Sequence, residues 1–275
     1  MLTPLAATLY AAVPAWAGLA TWKDLALLAS FYLATSLGVT VGFHRMLTHR
    51  SFETNPVLRA IFLILGTWSI QGAAISWAAI HNKHHVHSDT EKDPHSPIRS
   101  FFHAHVGWLL GTERAEPERF AKAQLSDPIV MFVSRTAFWW AVLGLLLPFL
   151  IGGWSGFLWG GLVRVFLVHH VTWSVNSICH TFGQRPFKHE NDPDQSTNNV
   201  AVGLLAMGEG WHNNHHAFPR SAMHGLKWWQ VDFSGYTIRM LGLMGLAKNI
   251  YRVPSQVIAM RRARRSSQRS IPATA

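Results

Sequence analysis

The sequence predicts an all-α integral membrane protein, with four transmembrane helices in two hairpins and a cytoplasmic helical cap. Three observations predict it. Hydrophobic residues make up 49% of the 275 residues and charged residues only 14%, against about 25% charged in soluble domains. Four long apolar runs, at about 2–20, 25–43, 129–151 and 154–175, approach the ~20 residues that a bilayer requires. The basic residues are unevenly placed: ten Lys/Arg follow Ala217 and nine lie in Gly42–Pro128, whereas the turn after the first run holds only Lys23. Positive charge stays cytoplasmic, so both hairpins dip from that side and both termini remain there.

The first two runs are separated by Thr21, Trp22, Lys23 and Asp24, which makes a tight hairpin. No basic segment precedes the first, so it reads as a span and not as a signal peptide. The third and fourth carry Arg135 and Arg164 and meet at Gly152–Gly153. A fifth run, Val57–Ile80, contains Arg59, Gln71 and Ser76. An odd number of crossings would put its two ends on opposite faces, so it is expected to stay cytoplasmic or interfacial. The expected organisation is one domain over 1–255, with the cap formed by 44–128 and 176–255. A basic, disordered tail follows at 256–275. The lone Cys179 excludes a disulfide scaffold and any cysteine-based metal cluster. No recognition motif accompanies the net charge of +10, so nucleic acid is not an expected partner. Arg261, Arg262, Arg264 and Arg265 read as a lipid-facing or solvated stretch.

The 17 histidines outnumber the 14 acidic residues. Three clusters stand out: His44 with His49; His81, His84 and His85; and His212, His215 and His216. A fourth element pairs Asn176 with His180. Helical offsets of three and four share a face, so each triplet converges on one side. The five-residue step from His44 to His49 turns about 140° on an α-helix and needs a kink or helix end. Together these make nine imidazoles, more than the four to six ligands of one metal, so two metals are expected. Imidazole suits Zn, Cu, Fe and Ni. Zinc would imply hydrolysis; iron could use dioxygen on an unactivated C–H bond. Asp89, Asp93 and Glu209 are placed to accept the second N–H of a ligating imidazole. His87, His95, His103, His105, His169, His170, His189 and His224 read as ordinary polar or packing residues.

The motifs Gly42–Arg50, His81–His85 with Asp89 and Asp93-Pro94-His95, Trp173–His180 and Gly208–Pro219 resemble the membrane-bound fatty acyl desaturases, in the stearoyl-CoA (Δ9) branch. The resemblance covers about 25–255. It implies a di-iron enzyme that uses dioxygen and two electrons to place a cis-Δ9 double bond in a saturated acyl chain. It implies one iron (Fe2+) on His44, His49, His81, His85 and His215. The other would sit on His84, His180, His212 and His216, with Asn176 acting through a water. It assigns Gln71, Trp77 and Thr172 to the bend of an acyl tunnel, Trp173 to the acyl carbonyl, and Tyr32 and Ser36 to the tunnel's far end. On a straight α-helix Tyr32 would be roughly 18 Å from His44.

Departures from the animal enzymes bear on the head group. Their CoA-contacting basic positions are Ala79, Ile80, Thr112 and Glu113 here, which leaves acyl-CoA and acyl-lipid substrates both open. CoA would have to use other cations such as Lys83, Lys188 or Arg185. No cytochrome b5-like His-Pro-Gly-Gly motif occurs, so a separate donor (ferredoxin, flavodoxin or a cytochrome b5-like protein with its reductase) is expected. The expected location is a bacterial inner membrane with the active site on its cytoplasmic face. The rival enzyme is a histidine-rich hydroxylase of alkanes, sterols or carotenoids, which would yield an alcohol. The rival of another class is a metal transporter or sensor, which would place histidines along a path through the spans.

Overall fold

A computed structural model describes residues 2–17, 20–111, 115–187 and 192–269. Among the described residues nearly all regular structure is helical, beside the two-residue strands Glu53–Thr54 and Ala247–Lys248, which pair, and isolated bridges of Asn198 with Gln184 and Trp211. The chain forms two compact units: 1–48, 54–80 and 115–172 in the first, 49–53, 81–114 and 173–275 in the second.

The first unit is built on apolar helices. Leu2–Trp16 is the first, shorter than the expected run of 2–20: Ala17 N bonds Val13 O, and residues 18–19 lie outside the described set. The second helix, Trp22–Leu37, starts at a capping box in which Thr21 and Asp24 satisfy each other's backbone N–H. It runs on as a π-helix over Gly38–Thr48, which supplies the non-α winding that the step from His44 to His49 requires. π winding also advances less per residue than α winding, so roughly 18 Å is an upper bound on the Tyr32–His44 rise.

The run expected at 129–151 is interrupted. Thr136 has non-helical angles (φ −101°, ψ 14°), and both its backbone N–H and its Oγ1 donate to Phe132 O. Helix therefore resumes as Ala137–Gly156. At Gly153 (φ 60°, ψ −146°) the backbone turns in a conformation open to glycine. The helix then doubles back: Arg164 donates to Gly144 O at 2.8 Å, and Gly160 packs against Pro148. Phe157–Val163 is again π-helical and leads into Arg164–Ser177. Ser155, just past this turn, donates to Asp24, so the start of Trp22–Leu37 meets the turn at Gly153. Among the described residues, Trp22–Thr48 and Ala137–His180 are long and apolar enough to cross a membrane, while Leu2–Val13 and Pro56–Thr67 are shorter apolar helices.

Within Val57–Ile80 the chain forms two helices, Pro56–Thr67 and Ala74–His87, with a break between them. Ile70 (φ 57°) and Gly72 (φ 98°) both adopt left-handed backbone there. For a β-branched residue such as Ile70 that is a genuine outlier. Pro56–Thr67 crosses the π-helix at very close range: a Cβ on Gly38 would lie 2.2 Å from Gly66 N.

In the second unit, short helices and ordered loops surround the histidines. Tail residues expected to be disordered form the helix Ser255–Arg269; residues 270–275 lie outside the described set. Its Ala, Met, Gln and Arg are good helix formers, and it is docked. Ile258 packs on Phe187, Ala217 and Phe218, Arg261 donates to Ala217 O at 2.7 Å, and the Arg261 and Arg262 guanidiniums lie over Phe218 and Phe187.

Candidate metal centre

Three separate segments bring His84, His180, His212 and His216 together. Ala74–His87 carries the first, the turn Ile178–His180 the second and His212–Ala217 the last two. Their Nε2 atoms face one another: His212 to His180 at 2.9 Å, His216 to His212 at 3.0 Å and His84 to His216 at 3.3 Å. The opposite nitrogens of three rings meet carboxylates. His84 Nδ1 is 2.9 Å from Asp93, His180 Nδ1 is 2.8 Å from Asp89, and His216 Nδ1 is 3.2 Å from Asp194.

These contacts decide the tautomers. A carboxylate only accepts, so each of the three Nδ1 atoms carries a proton, and a ring in its neutral form turns an Nε2 lone pair toward the others. Three lone pairs aimed at one another cannot hydrogen-bond. They repel unless a cation lies among them, which is the arrangement in which metal-bound histidines are held. The donor set fits a divalent metal with a preference for imidazole.

The carboxylates are themselves held. Asp93 Oδ2 accepts from Asp89 N at 2.9 Å, Asp89 also takes the Gln195 amide, and Ser88 Oγ donates to Asp194 at 3.1 Å. Burial opposes ionisation of Asp93 and Asp194, but His84 and His95 beside the first and His216 beside the second hold both well below the usual carboxylate range. For His84, burial favours the neutral ring, yet Asp93 prevails and the pKa is raised. His216 is pushed down to about 4 by burial, against the pull of Asp194.

The second unit holds another convergence. His49, His81, His85 and His215 place ring nitrogens within 4.8 Å of one another: His49 to His81 at 2.9 Å, His85 to His81 at 3.0 Å and His215 to His85 at 2.9 Å. Burial and the neighbouring His216, His81 and His49 hold His85 well below the ordinary imidazole value, ready to act as a neutral ligand. Spacing explains the division. His81 and His85 are one turn apart on one stripe of the helix, and His84 is offset toward the other group. The two groups adjoin, with the His85 and His216 rings 4.5 Å apart.

His44 belongs to the first unit, where it lies edge-on to Trp77 at 6.0 Å. Also there, Gln71 Nε2 donates to Thr172 Oγ1 and Trp77 Nε1 donates to Gln71 Oε1, both at 3.1 Å. The three residues assigned to the tunnel bend thus form one hydrogen-bonded chain. Tyr32 and Ser36, one turn apart, hydrogen-bond through their side chains. In the second unit Trp173 is buried against His105, and Asn176 occupies the last turn of Arg164–Ser177. Ala79 is buried. Arg185 is committed to Gln195 and the Asp194 carbonyl, which removes it as a free anion contact. Thr112, Glu113, Lys188 and His189 lie outside the described residues.

Sequence reasoning missed Asp194, which follows none of the histidine spacings. It also set aside His95 and His224. His95 packs on His84 at 4.4 Å, and burial beside His84 lowers its pKa to about 3. His224 packs on His215 at 4.5 Å and has Glu209 3.4 Å from its Nδ1. Glu209 therefore faces an imidazole outside both quartets. The pattern of an acid within a few residues of a histidine box revealed Asp89 and Asp93; nothing comparable marks Asp194, 22 residues before His216.

Residues 14–233 match the model of the fatty acid desaturase family. The chain is 44% identical over 223 residues to an sn-1 stearoyl-lipid 9-desaturase of Anabaena variabilis, covering 80% of each. It is 42% identical to an sn-1 stearoyl-lipid 9-desaturase of Synechocystis sp., over 87% of this chain and 75% of that one. An acyl-CoA C20 Delta5-desaturase of Anemone leveillei is 40% identical, over 86% of this chain and 76% of that one. Bond position and acyl carrier thus differ among relatives of similar identity.

Proposed function

Because this chain belongs to the fatty acid desaturase family, we propose that it is a membrane-embedded Δ9 desaturase of saturated acyl chains carried on a lipid. The overall change takes a –CH2–CH2– unit, O2, two electrons and two protons to a cis –CH=CH– unit and two waters. One iron would be held by His84, His180, His212 and His216, with Asn176 through a water. The other would be held by His49, His81, His85 and His215, with His44 completing the set on the family's motif. Two bound irons would supply the dioxygen chemistry. The chain's own residues hold and orient: Asp89, Asp93 and Asp194 fix the ring tautomers, and the Gln71–Thr172–Trp77 chain would set the bend beside which one C–C bond rests. Four spans with a cytoplasmic cap, in a bacterial inner membrane, are the arrangement that charge placement favours. Electrons would come from a separate carrier.

The observation that carries this reading is the convergence of carboxylate-backed Nε2 lone pairs in a chain of this family. The acyl-lipid carrier is favoured by the two stearoyl-lipid relatives and by Ala79 and Ile80 standing where CoA contacts would be. Expression in a host that lacks unsaturated lipids, followed by mass spectrometry of the CoA and phospholipid pools, tests it. Monounsaturated chains should appear in phospholipid before CoA, with the double bond at carbon 9. Alcohols in place of alkenes, or no new product with iron bound, would overturn it.

A further inference from the structure

The helix Phe233–Leu243 has two apolar faces, one buried and one exposed. Ser234, Gly235, Ile238 and Leu241 are buried, and Asp232 caps the helix while also accepting from His224 N and Gly225 N, which fixes its pitch on the second unit. The opposite stripe, Phe233, Tyr236, Met240 and Leu243, is exposed, Leu243 by 83%. These residues recur at three and four positions, so they form one continuous strip. Trp228, just before the helix, is 93% exposed. Single exposed apolar residues are ordinary; a contiguous strip marks an interaction surface.

Beside the strip lies a pocket of about 390 Å³, lined by Arg239, Gly242, Lys248, Asn249 and Arg252 among others. Among the described residues, none of its three cations is held in an ion pair. The nearest acid that a lining residue touches is Glu53, which accepts from Asn249 Nδ2 at 2.9 Å. The pocket is therefore net cationic and shares Leu243 with the apolar strip.

We propose that this face lies in the membrane interface, with the Phe233–Leu243 strip among acyl chains and the pocket on the phosphate of an anionic phospholipid. An apolar strip flanked by cations and an exposed tryptophan is the composition of an interfacial helix. A second copy or a protein partner would match the strip but would leave the three cations unanswered; an anionic bilayer answers both. The proposal requires only that the protein meets a bilayer, and it is independent of the desaturation chemistry.

The test uses the whole protein in nanodiscs of phosphatidylcholine, with or without phosphatidylglycerol. Cys179 is buried, so Leu243→Cys can be labelled selectively with a small fluorophore. Quenching by brominated acyl chains and shielding from aqueous iodide are expected. Iodide quenching without lipid quenching would overturn the interfacial placement. So would shielding from both quenchers that disappears on dilution, the mark of a second copy. Native mass spectrometry should show phosphatidylglycerol retained over phosphatidylcholine. Arg239→Gln, Lys248→Gln and Arg252→Gln combined should lower that preference on the order of a hundred-fold, and the protein should keep its fold because all three are exposed. An unchanged preference, or loss of the lipid to millimolar inorganic phosphate, would overturn the headgroup site. Alkene formation measured on the same samples reports separately on the proposed function.

Discussion

His169 Nε2 lies 2.7 Å from the carbonyl oxygen of Ser69, a hundred residues earlier in the chain. A carbonyl only accepts, so this nitrogen carries the proton. One helical stretch away, the buried Arg164 guanidinium donates to Trp68 O, and Thr172 takes the Gln71 amide. Three side chains of Arg164–Ser177 thus pin the break between Pro56–Thr67 and Ala74–His87, where Ile70 is held at positive φ. His169→Ala should leave a buried carbonyl without its donor, at about 1–3 kcal/mol, read as a thermal midpoint several degrees lower. His169→Gln should recover most of it. If the break positions the tunnel bend through Gln71, His169→Ala should also yield positional isomers beside the Δ9 product, resolved by mass spectrometry of derivatised esters.

The carboxylates behind the imidazoles should matter nearly as much as the rings. Asp93→Asn, Asp89→Asn or Asp194→Asn removes an obligate acceptor and frees the ring to adopt the wrong tautomer. Each should lower metal affinity or activity by about 10–100-fold. Metal titration of the purified variants checks this; wild-type affinity in all three would show that the carboxylates do not orient ligands.

His84→Ala or His216→Ala should abolish activity while the protein still inserts, because insertion depends on the apolar helices of the first unit. Membrane fractionation beside product analysis separates the two outcomes. Imidazole sites bind Zn²⁺ more tightly than Fe²⁺, so a zinc-loaded preparation should be inactive and iron reconstitution should restore turnover.

Gly38→Ala tests the close helix crossing. Its new methyl would meet the Gly66 backbone, which cannot rotate away. Overpacking of this kind destabilises by about 1–3 kcal/mol. A thermal midpoint equal to that of the wild type would mean that the two helices have room to separate.

Ser36→Ile probes the far end of the acyl path. If Tyr32 and Ser36 close it, the larger side chain should favour a palmitoyl over a stearoyl chain. Two methylenes at about 0.8 kcal/mol each give roughly a fifteen-fold change in preference. Competition between the two chains measures it, and the double bond should remain at the same carbon from the carboxyl end.

What the sequence made legible was periodic or local. The histidine triplets declared themselves through three- and four-residue spacing, and Gly152–Gly153 through the absence of any loop between two apolar runs. The features that stayed hidden join distant segments. Asp194 meets His216 and takes Ser88 on its carboxylate, contacts between segments far apart in the chain, while Arg185 bonds its carbonyl and Gln195. Arg164 reads as a defect in a span until the carbonyls of Trp68, Gly144 and Gly160 are seen around it. The tail looked too charged to fold, but the aromatic rings of Phe218 and Phe187 receive Arg261 and Arg262.

The quartets also set a timetable for biosynthesis. His85 and His215 are 130 residues apart, and each group needs rings from both the His81–His85 and the His212–His216 segments. At about 5–20 residues per second on the ribosome, the early rings emerge roughly 6–26 s before their partners. During that interval a nascent chain can offer a metal only a partial set of ligands. Metal loading at either quartet would therefore be a late event that follows emergence of the last histidines, and a chain truncated before His212 should leave the ribosome with neither quartet complete.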